Sequence, residues 1–241
     1  MSVLVVTGTG TGVGKTMVTA AVAALALDRG ASVAVVKPAQ TGFLPGEPAD
    51  LDQIRHLSGC ADLHEHARFP DPLAPAAAAR AAGVPPLDLR DTAERVRDLS
   101  ESRRLVLVEG TGGLLVRYDD DGRTVADLAR ELAAPVLVVA QPTLGTLNHT
   151  ALTLEALAHR GLELAGIALG WWPADPDLAC RANVRDLETL GARPLAGALR
   201  ADAAALGPLE FLLAAQAGLG PELGGRFDAS EFRSRLPEAV Q

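Results

Sequence analysis

Six short apolar runs punctuate the chain, at residues 3–6, 32–36, 105–108, 136–140, 164–169 and 194–199. Each is nearly all apolar instead of alternating with polar residues, which is the pattern of parallel strands buried on both faces. Stretches of helical character lie between them, at 16–29, 50–58, 88–100, 125–132, 148–160 and 177–190. Strands alternating with helices predict an α/β sheet with right-handed crossovers. In such sheets ligands gather at the carboxyl ends of the strands. The gap from 38 to 104 has to cross the sheet or elaborate the site. It holds a Pro/Gly-rich loop at 38–48, then Pro70, Pro72 and Pro75 and an Ala-rich segment at 72–82. The tail after Gly207 predicts a loop at 218–225 and a short helix at 229–236. No linker divides the chain, so one domain over 1–241 is expected.

The first strand runs into Gly8-Thr-Gly-Thr-Gly-Val-Gly-Lys-Thr16 and then into a helix. Strand, glycine-rich turn, Lys-Thr and helix describe a phosphate-binding loop. Glycines let backbone N–H groups curl around an anion, and the helix presents its positive end to the same anion. Lys15 is placed to neutralise β/γ-phosphate charge, and the Thr16 hydroxyl to hold Mg²⁺. The loop is a variant: the usual spacing puts a glycine where Thr9 stands, and Gly8 comes one place earlier. A dinucleotide fingerprint fits worse, because it wants a glycine at Val13 and no Lys-Thr. The fold expected is a single P-loop NTPase-like α/β domain, with a mostly parallel central sheet and helices on both faces.

Composition narrows the partners. A net charge of −8 argues against nucleic acid or an anionic membrane. No apolar run approaches the ~18–20 residues of a membrane span. Only Cys60 and Cys180 are present, with no C-x-x-C pair, so neither a disulfide framework nor a zinc set is expected. A reducing cytoplasm is the expected location, and small molecules are the expected partners.

Candidate chemistry falls just after predicted strands. Lys37 follows the second strand in Val-Val-Lys-Pro, and Glu109 follows the third in Val-Glu-Gly-Thr-Gly-Gly. An acid after a buried strand is where phosphate-loop proteins hold their metal. Asp50 opens a helix and has two roles open to it, capping that helix or reaching Mg²⁺, with Asp52 the fallback ligand. Leu144-Gly-Thr-Leu-Asn-His149 opens another helix with Asn148 as its expected N-cap, and its N–H groups suit a carboxylate. His56, His64 and His66 lack a third ligand at metal-binding spacing, with His64 and His66 expected in a loop. Trp171 and Trp172 either stack on a base or close the edge of the core.

The order of these blocks resembles dethiobiotin synthetase from residue 3 to about 200: the phosphate loop, Lys37-Pro38 with Thr41-Gly42, Val-Glu-Gly-Thr-Gly-Gly, and Leu-Gly-Thr-Leu-Asn-His. The resemblance implies a ligase that closes a cyclic urea on 7,8-diaminononanoate with CO₂, a nucleoside triphosphate and Mg²⁺, through a carbamate and its mixed anhydride with phosphate. It implies nucleotide contacts at Gly12, Val13, Gly14, Lys15, Thr16, Met17, Asp50, Glu109, Gly170, Trp171, Ala198, Leu199 and Arg200. Lys15 and Lys37 are then the catalytic cations, and Thr16, Asp50 and Glu109 the Mg²⁺ ligands. Substrate contacts fall at Thr11, Lys37, Thr41, Gly110, Thr111 and Gly112. The resemblance further implies that Leu144, Gly145, Leu147 and Asn148 form a carboxylate clamp contributed by the other subunit of a homodimer.

Two departures stand out. Gly12 replaces an acid that some members carry in the loop. Gly170 stands where some members place an adenine-reading Asn, which leads to an expectation of relaxed base preference, ATP or another triphosphate such as CTP. Two rivals fit less well. A cobyrinate amidase-like ligase needs a nucleophilic cysteine in a setting that Cys60 and Cys180 lack. A partitioning or septum-positioning ATPase carries an extra early lysine where Thr9 and Gly10 stand, and its membrane-binding versions end in a basic amphipathic helix that 228–236 does not make.

Overall fold

The computed structural model describes residues 3–236. Seven parallel strands form one sheet in the order β3-β2-β4-β1-β5-β6-β7. The strands are β1 (Val3–Gly8), β2 (Val33–Thr41), β3 (Leu63–Phe69), β4 (Leu105–Gly113), β5 (Val136–Ala140), β6 (Leu164–Trp172) and β7 (Gly197–Arg200). The helices are α1 (Lys15–Asp28), α2 (Asp50–Ser58), α3 (Pro75–Ala82), α4 (Leu89–Ser102), α5 (Val125–Glu131), α6 (Thr146–His159), α7 (Leu178–Gly191), α8 (Pro208–Gly218) and α9 (Ala229–Ser234).

Side-chain alternation explains the all-apolar strands. Leu4 and Val6 of β1 pack with α1, α2 and α8 on one face, while Val3 and Val5 pack with α4 and α5 on the other. Strands covered on both faces have no use for polar positions. Helix α1 is buried almost all round, from Val18 to Leu25, because α2 and α8 close over it. Its small Ala residues allow that close packing.

The structure corrects the sequence reading in several places. A seventh strand, β3, fills part of the 38–104 gap and puts His64 and His66 on the sheet edge, not in a loop. An edge strand has one ladder partner and one partly wet face, so Leu-His-Glu-His-Ala-Arg-Phe carries the polar residues that hid it. Helices α3 and α8 also form where the pattern predicts none. Strands β2 and β4 run further than the apolar runs, so Lys37 and Glu109 lie inside them. Helix α6 begins at Thr146 behind Gly145, whose φ of 94° makes it the N-cap, so Asn148 is an interior residue of the first turn. At α2 the N-cap is Ala49, and Asp52 supplies the capping carboxylate to its N–H at 2.9 Å. Asp52 is therefore committed to the helix end, and Asp50 is free to face the sheet.

Candidate active site

Strands β1, β2 and β4 are neighbours, and their carboxyl ends open on a cavity of about 520 Å³. The phosphate loop, β2, β4 and the start of α2 wall it. Its lining brings together Thr11, Gly12, Gly14, Lys15, Thr16, Met17, Lys37, Thr41, Asp50, Glu109, Thr111 and Gly112, from four separate stretches of sequence.

Lys37 is the electrostatic centre. Its Nζ lies 2.6 Å from Asp50 Oδ2 and 2.7 Å from Glu109 Oε1. The lysine and Glu109 are enclosed, with side chains 3% and 0% exposed. Burial alone would lower the lysine's pKa, but the Glu109 and Asp50 carboxylates more than offset it, and the net displacement is upward. The side chain is a fixed cation held by two acids. Thr16 donates its hydroxyl to Glu109 Oε1 at 2.9 Å, tying the start of α1 to β4. Glu109 Oε2 is buried and has no hydrogen-bond partner.

Lys15 behaves differently. Its Nζ folds back on Gly10 O at 2.8 Å. Burial, then repulsion from Lys37, push its ammonium down to about 8 against the pull of Glu109 and Asp50. A phosphate beside it would supply the opposite charge that burial demands.

The loop's shape rests on a backbone contact that the sequence reading did not anticipate. Gly14 has φ of 95°, and a Cβ there would sit 2.7 Å from Gly170 O. A Cβ on Gly170 would sit 1.9 Å from Val13 O and 2.8 Å from Gly14 Cα. Two glycines let β6 and the phosphate loop touch backbone to backbone. Gly170 thus seats the loop, and an Asn in this place would strike it. The missing-Asn argument for relaxed base preference loses its footing, because no side chain fits at 170.

Other expected contacts lie outside the cavity lining. Val13 is a core side chain, available to a ligand through its backbone only. Gly110 is buried, and a Cβ there would meet Val125 at 3.3 Å. Ala198 and Leu199 are buried on β7, and Arg200 is exposed and paired with Asp202. Trp172 meets Phe232 edge-on at 5.0 Å and closes the edge of the core; Trp171 is half-buried beside it. Leu144 is 84% exposed, and Gly145 and Asn148 are exposed too, with Leu147 half-buried. None of the expected clamp residues lines this chain's own cavity. Asn183 of α7 holds its loop, donating to Pro142 O at 2.8 Å. Of the histidines, His66 faces Thr92 and is lowered to about 4, chiefly by burial. His64 pairs with Asp62. Among the described residues no group of three or more His, Cys, Asp or Glu is gathered as metal ligands.

The sequence reading also passed over Gln40, Phe43, Gln53 and the segment Pro72–Ala74, all of which line the cavity. Gln40 sits in Lys-Pro-Ala-Gln-Thr-Gly between two flagged residues, which was the available signal. Phe43 and 72–74 carried no signal of their own, although both fall in the 38–104 gap expected to cross the sheet or elaborate the site.

Tyr118 was missed as well. The β2–β4 ladder reaches only Val36–Val108, so the strands part where the cavity opens. The Thr111 N–H, which would otherwise lose its partner there, donates to the buried Tyr118 hydroxyl at 2.6 Å, and Thr111 Oγ1 donates to Ala39 O. Tyr118→Phe keeps the ring and orphans that N–H. We expect a loss of about 1–3 kcal/mol in folding stability, read from urea unfolding midpoints. A midpoint unchanged from wild type would show that Tyr118 does not hold this segment.

A larger cavity of about 740 Å³ lies at the other end of the sheet, lined by Leu4 and Leu105 at the amino ends of their strands. Arg29, Arg104, Arg193, Glu163 and Glu222 line it, but no lysine, no threonine and no part of the phosphate loop does, so size does not identify the site.

Comparison with known proteins gives the family and the fold. A family profile described as an AAA domain matches residues 2–205. The chain is 66% identical over 235 residues to an ATP-dependent dethiobiotin synthetase of Frankia casuarinae, covering 98% of this chain and 99% of that one. It is 53% identical to the Streptomyces avermitilis protein of that name, covering 97% and 98%. Among solved structures, a ParA family ATPase from Chlorobium tepidum matches with a TM-score of 0.56 at 14% identity, over 98% of this chain and 99% of that one. The septum site-determining protein MinD from Pyrococcus horikoshii matches with a TM-score of 0.56 at 14% identity, over 92% and 94%. These last two likenesses establish the fold alone.

Proposed function

The chain belongs to the ATP-dependent dethiobiotin synthetase family, and from that premise we propose how its cavity forms the ureido ring of dethiobiotin. The reaction joins 7,8-diaminononanoate and CO₂ at the expense of a nucleoside triphosphate, as a carbon–nitrogen ligase of biotin biosynthesis. One amine adds to CO₂ and loses a proton, giving a carbamate. A carbamate oxygen attacks the γ-phosphorus and the nucleoside diphosphate leaves. The second amine then attacks the carbonyl carbon, phosphate departs with the C–O bond, and the ring closes.

The observation that carries the assignment of roles is the buried Lys37 between Asp50 and Glu109, facing the loop that bears Lys15. Such chemistry needs positioning and charge neutralisation more than covalent participation. Lys37 lies on the wall shared by Thr41 and Thr111, where the carbamate is held, and stays cationic as negative charge builds on its oxygens. Lys15 meets the β/γ-phosphates once it leaves Gly10 O. The N–H groups of residues 12–17 cradle the phosphates at the α1 N-terminus.

Mg²⁺ fits the residues present. Glu109 Oε2 is a buried carboxylate oxygen without a partner, and the Thr16 hydroxyl lies beside the same carboxylate. Hard oxygen donors of this kind suit a small divalent cation completed by water and phosphate oxygens. Thr16, Asp50 and Glu109 would hold the ion, which supplies charge neutralisation at the phosphates.

A homodimer completes the site in this reading. Its support is that Leu144, Gly145 and Asn148 are exposed and line no part of their own cavity, so a carboxylate clamp built from them serves a neighbour. We assign the protein to the cytoplasm on its pathway. No helix among the described residues is long and apolar enough to cross a membrane.

The test is direct. The protein is incubated with 7,8-diaminononanoate, bicarbonate, Mg²⁺ and ATP or CTP, and dethiobiotin is sought by mass spectrometry. Product with either nucleotide supports the reading, and none with any nucleotide overturns it.

A further inference from the structure

One oxygen of each cavity carboxylate holds Lys37, and the unpartnered Glu109 Oε2 is reserved for the metal ion in the reading above, which leaves the substrate's nitrogens short of acceptors. Asp50 and Glu109 both hold Lys37, and the Thr111 hydroxyl donates to Ala39 O. Yet a diamine that becomes a carbamate presents N–H groups throughout its reaction, and N–H groups in an enclosed site need acceptors.

Gln40 offers a neutral acceptor that no other group in the site uses. It lies on β2 three residues after Lys37 and lines the same cavity. The residue is 3% exposed, and its Oε1 is buried without a hydrogen-bond partner, so a turn of the terminal amide, a soft torsion, presents that oxygen to a bound molecule. A buried carbonyl left unpaired costs free energy in the ligand-free protein. That cost is recovered when a bound molecule brings a donor. The side chain is also neutral, so it does not compete with Asp50 and Glu109 for Lys37 or for a metal ion.

The geometry points to Gln40 as a specificity-determining residue for the diamine, its carboxamide oxygen accepting an N–H from the substrate's amino or carbamate nitrogen. This rests on the ring-closing reading proposed above. Gln40 takes part in no proton transfer. It selects a substrate with nitrogen at this place over one carrying an oxygen or methylene there, because only the former satisfies the carbonyl.

Gln40→Met is the discriminating variant, since it keeps length and shape and removes the hydrogen bond. Gln40→Leu is the second variant should the thioether repack. Steady-state rates of dethiobiotin formation by the full-length protein with Mg²⁺ give KM for 7,8-diaminononanoate at saturating nucleotide. Titration with nucleotide alone gives its Kd. We expect KM for the diamine to rise about tenfold and the nucleotide Kd to stay within about twofold of wild type. The ligand-free melting temperature should hold or rise, because an unpaired buried carbonyl has gone. An unchanged diamine KM in both variants overturns the assignment, as does a nucleotide Kd that shifts as much as the KM. A lower melting temperature with unchanged KM overturns it too, by making Gln40 a structural residue. Wild-type protein that makes no dethiobiotin overturns the underlying reading, whereas wild-type turnover with unaffected variants overturns the role of Gln40 alone.

Discussion

Lys37→Ala should abolish most ring closure while sparing nucleotide binding. The ammonium is enclosed and held by two carboxylates, so it is preorganised and needs no reorganisation as charge develops on the carbamate and phosphate oxygens. Removing one such fixed donor typically costs about 10²–10³ in kcat. The phosphate loop keeps its backbone, and Lys15 is relieved of the repulsion from Lys37, so nucleotide affinity measured by calorimetry should be largely kept. The substitution also leaves Glu109, with no exposed side-chain surface, without its cation. Breaking a buried pair in this way costs about 3–5 kcal/mol. That is a large part of an ordinary domain's stability of about 5–15 kcal/mol. The assay is therefore run well below the variant's own melting temperature, with circular dichroism to confirm the fold. A folded variant that forms dethiobiotin at the wild-type rate would remove Lys37 from the mechanism.

Gly170→Ala should damage nucleotide binding from behind the loop. The new methyl would sit 1.9 Å from Val13 O and 2.8 Å from Gly14 Cα. Both obstacles are backbone, so no rotamer relieves them, and either β6 or the loop must move. The loop is the element whose N–H directions define the phosphate cradle, and misdirected donors lose both their hydrogen bonds and the benefit of the helix terminus. We expect nucleotide affinity to fall by at least about tenfold and stability by about 1–3 kcal/mol, the usual cost of overpacking. Gly10→Ala is the control for stability. A Cβ there meets nothing within 4 Å, so its unfolding midpoint should match wild type. Wild-type nucleotide affinity in Gly170→Ala would mean that the contact between β6 and the loop does not shape the cradle.

Much of the site was legible in the sequence because each part carries local chemistry. Lys15 and Thr16 follow glycines at phosphate-loop spacing, and Lys37 and Glu109 are charges at the end of apolar runs where a buried strand tolerates none without purpose. Local pattern also located all the central strands, since burial on both faces makes them apolar throughout. It failed at β3, where an edge strand keeps polar residues, and at Asn148, where a positive-φ glycine starts the helix earlier.

What the sequence determined by itself was the fold class, the phosphate loop and the identity of most charged groups in the cavity. Tertiary structure alone decided how those groups are paired. Nothing in the chain order says that Lys37 is shared by Asp50 and Glu109, that Tyr118 holds Thr111, or that Gly170 presses on Val13. Those contacts join residues far apart in sequence, whose meeting depends on strand order and register. The same holds for Gln40, which is an unremarkable polar residue until the sheet encloses it without a partner.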